Sequence, residues 1–500
     1  MSEKINQLKQ IIAEAADLGS AASLLSWDQQ TYMPIGGGEA RGQQLATLGK
    51  LRHQKATSDE VGKLLDDLKK EFNGADASSD DAAMVRVAAR DYDKAVRVPS
   101  EFISEQAIVT TKAYEAWAEA RSKSDFSIFR PHLEKVVELV KKYVSFFPKG
   151  DHPYDALLDD YEPGMKTAEV QAIFNGLRPK QVELIKAISK RPQVNDKFLH
   201  KKYNENKLWD FSAGVARNFG YDWSRGRMDK APHPFESSFS INDVRITNRF
   251  EPNNPLATVF SAMHEAGHAM YEQGINPSYE RTALAHGTSL AIHESQSRMW
   301  ENLVGRSLPF WEYVYPQLKK AFPSQLDGVG LKNFYKAINK VEPSFIRVNA
   351  DEATYNLHIM LRLEVEIAMV EGKIAIRDLP QIWNSKMEEY LGVTPPNDTL
   401  GVLQDIHWSI GSIGYFSTYA LGNLVSAQLW EQINKDIKDL ETQISKGKFD
   451  SLLGWLRDNI HKHGRKYDPQ VLVQKVTGSK ITPEPYVRYL KTKYSNIYGL

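Results

Sequence analysis

The run His264-Glu265-Ala266-Gly267-His268 holds the densest set of chemically useful side chains in the sequence. On a helix, two imidazoles four residues apart lie one above the other and can reach a single divalent cation. Glu265 projects about 100° further round the helix, near that cation without having to bind it. A carboxylate there can take a proton from water activated by the metal. The competing reading is a solvated face with two unrelated histidines. Val259, Phe260, Met263, Ala266, Ala269 and Met270 argue against it, because so apolar a segment belongs in a core. Two histidines and a glutamate buried there without partners would be costly. The expectation is a metallohydrolase, with peptides as the first substrate class to consider.

A catalytic zinc takes three protein ligands and keeps one position open. The metzincin extension would need Gly at 271 and His at 274, where this chain has Tyr271 and Gly274. Glu272, His286, His293 and Glu294 remain. Glu272 shares the face of His268, but its Cα lies about 12 Å along the axis from that of His264. Glu294 follows His268 by 294 − 268 = 26 residues. That length accommodates the end of the first helix, a loop through Asn276-Pro277, and a second helix capped by Thr288 or Ser289. On that helix Glu294 shares a stripe with Leu290, Ser297 and Glu301. A carboxylate from a second, antiparallel helix then completes the set. His293, the adjacent residue, faces elsewhere and reads as a structural or outer-sphere group.

These two helices sit in a chain whose pattern is helical almost throughout. Helical spacing or strong helix formers cover 3–25, 39–72, 80–95, 100–123, 128–146, 167–190, 205–219, 255–273, 288–304, 331–340, 351–371, 379–390, 419–446 and 450–462. Residues 235–250 differ, being rich in Ser, Phe, Ile, Val and Thr with a turn signal at Asn242-Asp243. They predict one or two short strands, with Asp243, Arg245 and Thr247 on one side and Val244, Ile246 and Asn248 on the other. Such a strand is either a small structural hairpin or an edge able to hold an extended peptide. No repeat or low-complexity linker interrupts the chain, so one helical body over 1–500 is expected.

Composition narrows the chemistry. Lys and Arg number 63, as do Asp and Glu, which gives no reason to expect a nucleic-acid or membrane partner. Cysteine is absent, so a metal must be held by histidine and carboxylate. The most apolar late stretch, 414–430, is interrupted by Ser417, Thr418, Asn423, Ser426 and Gln428 and does not read as a membrane span. The N-terminus lacks the basic region and apolar core of a signal peptide, so a cytoplasmic location is expected.

Further motifs now fall into an order. They are His233-Pro234-Phe235, Asp243-Val244-Arg245-Ile246-Thr247, the His264–His268 run, His293-Glu294-Ser295-Gln296, Ile346-Arg347-Val348-Asn349-Ala350-Asp351, and Gly401-Val402-Leu403-Gln404-Asp405-Ile406-His407-Trp408. In these motifs the sequence resembles the carboxypeptidase Taq family, and the likeness extends through Trp27-Asp28-Gln29, Tyr154-Asp155 and Trp455 to His461. The resemblance implies a metallocarboxypeptidase removing single residues from peptides with a free C-terminus, with broad tolerance and C-terminal proline disfavoured. It implies a mostly α fold with a deep groove, a small sheet beside the metal helix, and a homodimer. Zn²⁺ is the expected metal, with Co²⁺ a possible substitute.

The same resemblance assigns roles. His264, His268 and Glu294 become metal ligands, and Glu265 the general base and then acid. Arg347 is the candidate to grip the substrate α-carboxylate through paired hydrogen bonds. Read from spacing alone, an ion pair with Asp351 is an equal alternative. His407 either donates to the oxyanion and orients substrate or packs beside Trp408. Tyr415 and Tyr419 are candidates to assist the oxyanion or are core aromatics. His233 and Arg245 are expected in the groove, although Arg245 could instead brace Asp243. Asp405 is expected to orient a metal-bound histidine.

Overall fold

The computed structural model describes residues 3–76 and 78–500. Among them, twenty α-helices and one three-stranded sheet make up the fold, and 67% of the protein is helical. No described helix is long and apolar enough to cross a membrane. The chain divides into two compact units, Met1–Val96, Asn195–Ile338 and Leu429–Gly478 in the first, and Arg97–Val194, Asn339–Gln428 and Ser479–Leu500 in the second.

The first unit is organised round the helix Ala257–Gln273, hereafter the His helix. It carries Val259, Phe260, Ala262, Met263, Ala266, Ala269 and Met270 inside, and it is buried on most of its surface. The sheet lies against it. Strand β1 (Met228–Lys230) pairs parallel with β3 (Asp243–Asn248), and β2 (Glu236–Ser240) pairs antiparallel with β3 on the other side. Val244 and Ile246 are fully buried, as the two-residue period requires. Asn248 continues that side, and its amide donates to Thr258 O at 2.9 Å, fixing the strand end to the start of the His helix. The hairpin is as the sequence predicts; β1 is an addition, too short for its pattern to stand out.

After the His helix, the chain turns through Pro277–Tyr279 and re-enters a helix at Leu290–Arg298, hereafter the Glu helix. Tyr279 and Leu284 of the connection pack with Ile5, Leu8, Leu65 and Met84 of the N-terminal helices, and Tyr279 OH donates to Asp80 at 2.8 Å. The expected helix over 39–72 is two helices, Gly38–Ala56 and Asp59–Glu71, because Ser58 turns extended and caps the second by accepting from Val61 N–H.

In the second unit, Tyr355–Glu371 is buried almost all round. Its Tyr355, His358, Arg362 and Glu366 recur at three- and four-residue steps and so form one polar stripe within the core. Helices at Leu308–Ala321 in the first unit and Glu484–Tyr498 in the second were not expected from the sequence. Both carry proline in the first turn, where no N–H is owed to the helix, and aromatic residues of modest propensity.

Candidate active site

His264 and His268 project from the His helix towards Glu294 of the Glu helix. His264 Nε2 lies 3.6 Å and His268 Nε2 3.5 Å from the same oxygen, Glu294 Oε2. One ligand atom from each of the three residues lies within 4.8 Å of the others, in an arrangement able to hold a metal ion. The close approach of the helices depends on Gly267. A Cβ there would stand 2.7 Å from Gln296 O and from Ser297 Cα. Ser289 begins the Glu helix, its hydroxyl accepting from Ile292 N–H at 3.1 Å.

Two of the candidate ligands, His264 and Glu294, are held from behind. His264 Nδ1 lies 2.9 Å from Glu301 Oε2. Glu301 stands in a π-helical turn, Met299–Val304, which continues the Glu helix. Arg298 donates to Glu294 Oε1 at 2.6 Å and to Glu301 Oε2 at 3.1 Å. Arg298 therefore occupies the outer oxygen of Glu294, while the inner one faces the two imidazoles and accepts from Ser297 Oγ at 3.2 Å. Glu272, rejected as a ligand on spacing, faces His286 and His293 instead.

The electrostatics follow these contacts. Burial pushes Glu294 upwards, but Arg298 and His264 outweigh it and hold its carboxyl well below the usual range. Burial alone would lower both histidines. Glu294 and the contact with Glu301 reverse this for His264, whereas His268, which faces another histidine, is lowered to about 3. Glu265 is buried and, among the described residues, its carboxylate has no hydrogen-bond partner. Burial, reinforced by Glu236, Glu294 and Glu301, raises it to about 7, the range in which a carboxyl can both accept and release a proton.

The second unit holds a cluster of another kind. Arg347 Nε and Nη2 donate to Asp405 Oδ1 at 3.1 and 2.9 Å, and Nη1 donates to Tyr355 OH at 2.9 Å. Arg362 donates to the other oxygen, Asp405 Oδ2, from Nε at 2.8 Å and from Nη2. Gln404 Oε1 accepts from Arg347 N–H and from Arg362 Nη2, both at 2.8 Å. Two buried guanidiniums thus share one carboxylate. Burial opposes the ionised form of Asp405, yet the two arginines hold it well below its usual range.

Comparison with known proteins places this arrangement. The family model described as carboxypeptidase Taq (M32) metallopeptidase matches residues 7–494. The chain belongs to this family. It is 40% identical to thermostable carboxypeptidase 1 of Thermus thermophilus over 97% of both chains. It is 36% identical to carboxypeptidase 1 of Bacillus subtilis over 98% of both. Among solved structures, an M32 carboxypeptidase from Deinococcus radiodurans superposes with a TM-score of 0.97 at 40% identity, covering 100% of each chain.

For this M32 metallocarboxypeptidase, the placement of the remaining expected residues is mixed. Arg347 does not pair with Asp351. That carboxylate instead accepts from Ala353 N–H and Thr354 N–H within its own loop, at 2.9 and 3.0 Å. Asp405 does not orient a metal-binding histidine as expected. Its carboxylate is spent on two arginines, and the acid behind His264 is Glu301. Arg245 pairs with both oxygens of Asp243 at 2.8 Å, and its guanidinium lies 4.7 Å from the Trp27 ring centroid, so it braces the sheet against the first helix. Thr247 completes that motif by accepting from Phe235 N–H at 2.9 Å, which ties it to the His233-Pro234-Phe235 segment. His233 itself is exposed before β2.

His407 lies beside the arginine cluster, with Nδ1 4.0 Å from Asp405 Oδ1 and Nε2 3.5 Å from Tyr419 OH. The Tyr419 ring sits 4.8 Å from the Arg347 guanidinium, and Tyr415 packs on His407 with 5.3 Å between ring centroids. Arg298 and Arg362 are contributors that the sequence reading passed over, and Glu301 was placed on the Glu294 stripe without a role. Arg298 and Glu301 had a signal, standing four and seven residues after Glu294 on its face. Arg362 had none, because its partner is 43 residues away.

Proposed function

We propose that this chain is a zinc-dependent metallocarboxypeptidase that releases single residues from peptides with a free C-terminus. The observation that carries the reading is the convergence of His264, His268 and Glu294 on one point beside the buried, unpartnered carboxylate of Glu265. Two imidazole nitrogens and one carboxylate oxygen suit zinc, with cobalt as a substitute. When bound, such a metal supplies Lewis acidity, lowering the pKa of water towards about 7 and stabilising negative charge on the scissile carbonyl oxygen.

The chain's own groups supply the rest. Glu265 takes a proton from the attacking water and returns it to the departing amine. Arg298 and Glu301 hold Glu294 and His264 in place, so that no reorganisation is needed during the reaction. An exopeptidase must also recognise the terminal carboxylate, and Arg347 is the proposed receptor. Its hydrogen bonds use Nε, Nη1 and Nη2 once each, which leaves one N–H on each terminal nitrogen. A carboxylate can accept from both at once. Two arginines against one aspartate leave a positive charge in the cluster for that anion. His407, Tyr415 and Tyr419 line the same cluster and are proposed to orient the substrate, with broad side-chain tolerance and disfavoured C-terminal proline carried from the family resemblance.

Mass spectrometry of a peptide ladder tests this. Metal-loaded protein should shorten the peptide one residue at a time from the C-terminus, and a chelator should stop it. Internal cleavage, or loss of dipeptides, would favour a helical zinc oligopeptidase or dipeptidyl carboxypeptidase instead.

A further inference from the structure

The two candidate histidine ligands are supported differently. His264 meets a carboxylate directly, whereas His268 meets another histidine. His268 Nδ1 lies 2.6 Å from His293 Nδ1, and His293 Nε2 lies 3.0 Å from Glu272 Oε1. Gly287 N–H donates to that same glutamate oxygen at 2.8 Å, and His286 Nδ1 lies 3.6 Å from Oε2. The rings are packed in place, with centroids 4.7 Å apart for His268 and His293 and 5.1 Å apart for Tyr271 and His293. At Gly287 a Cβ would come within 2.7 Å of His293 Cδ2, so the loop backbone rests on the ring itself.

From this geometry, and resting on the metal reading above, we propose that His293 and Glu272 are positioning residues that set which nitrogen His268 presents to the metal. Proton counting gives the direction. Glu272 is an acceptor, so His293 carries its proton on Nε2 and donates it there. A metal held on His268 Nε2 would leave that ring's proton on Nδ1, and across the 2.6 Å contact His293 Nδ1 would accept it, which keeps His268 Nε2 aimed at the point it shares with His264 and Glu294. A carboxylate behind a metal-binding histidine commonly does this directly; here a second imidazole stands between. The arrangement also assigns a task to Glu272 and His293, which lie close to the ligands without belonging to the set.

The test is Co²⁺ affinity of the full-length protein by competition with a chromophoric chelator, alongside the visible spectrum of the bound ion and the melting temperature of the metal-free protein. His293→Phe keeps the ring and removes both nitrogens. It should raise the Co²⁺ Kd about 10–100-fold and alter the spectrum, while the metal-free protein melts close to wild type. Glu272→Gln keeps an accepting oxygen and loses the charge, so it should weaken binding less, by about 3–10-fold. Kd values within twofold of wild type for His293→Phe, or for Glu272→Gln if His293→Phe does not fold, overturn the proposal while the metal reading stands. Failure of wild type itself to bind one Co²⁺ per chain overturns both.

Discussion

Glu294 and Asp405 are both buried carboxylates held by arginine, and the difference between their surroundings separates two kinds of site. Arg298 takes one oxygen of Glu294, and the other faces two imidazole nitrogens. Two imidazole nitrogens and a carboxylate oxygen face one another there, an arrangement able to hold a metal ion. At Asp405 both oxygens are taken, one by Arg347 and one by Arg362. N–H donors and positive charge are left over, and an anion is the fitting complement. On the proposed reading, one arginine per carboxylate suits the first cluster to a cation and two suit the second to an anion. A metallocarboxypeptidase needs one of each.

Substitutions can break the two clusters separately. The largest effect is expected from Glu265→Gln, which removes the base without touching a ligand. Turnover should fall about 10²–10⁴-fold with metal content unchanged. Retained turnover, measured beside metal analysis, would remove Glu265 from the mechanism. Glu294→Ala should leave the protein depleted of zinc after dialysis, as read by elemental analysis, because two histidines remain where three ligands are needed. Full occupancy would mean that another group completes the set.

Arg347→Ala should do the opposite. Metal content should stay at the wild-type level while kcat/KM falls about 10–100-fold, the scale of a lost charge-assisted contact of about 1.5–3 kcal/mol. A change under twofold would leave Arg347 as a structural partner of Asp405.

The smallest effect concerns stability. In the metal-free protein, burial raises Glu265 to about 7. An acid whose folded pKa exceeds its unfolded value favours folding while protonated, and that contribution is lost as pH rises from the ordinary carboxyl range through 7. Metal-free Glu265→Gln should therefore melt above metal-free wild type by more at pH 8 than at pH 5. An offset that does not grow with pH contradicts the assignment.

The first cluster was far more legible than the second, and the reason is distance along the chain. His264 and His268 are one turn apart, and a single loop of readable length delivers Glu294. Helix periodicity resolves such relations. Arg347 and Asp405 are 58 residues apart, so only the fold decides that they meet, and nearby Asp351 offered a plausible partner that in fact closes its own loop. The same rule separates the elements. Val244 and Ile246 announced their buried face through alternation, while Leu308–Ala321 and Glu484–Tyr498 were obscured by prolines, harmless in the first turn of each but in the former also present inside the helix at Pro316. The Arg245 brace was legible only as an alternative, since a residue two positions away can serve as partner or as neighbour.

The proposed function makes Arg347 the receptor for a terminal carboxylate. It is tested most directly by kcat/KM for one peptide in free-acid and C-terminally amidated forms, on wild type and on Arg347→Ala, each with its metal content verified. Wild type should cut the free acid at least about tenfold better than the amide, and Arg347→Ala should lose most of that preference. Equal cleavage of both peptides by wild type would contradict the account.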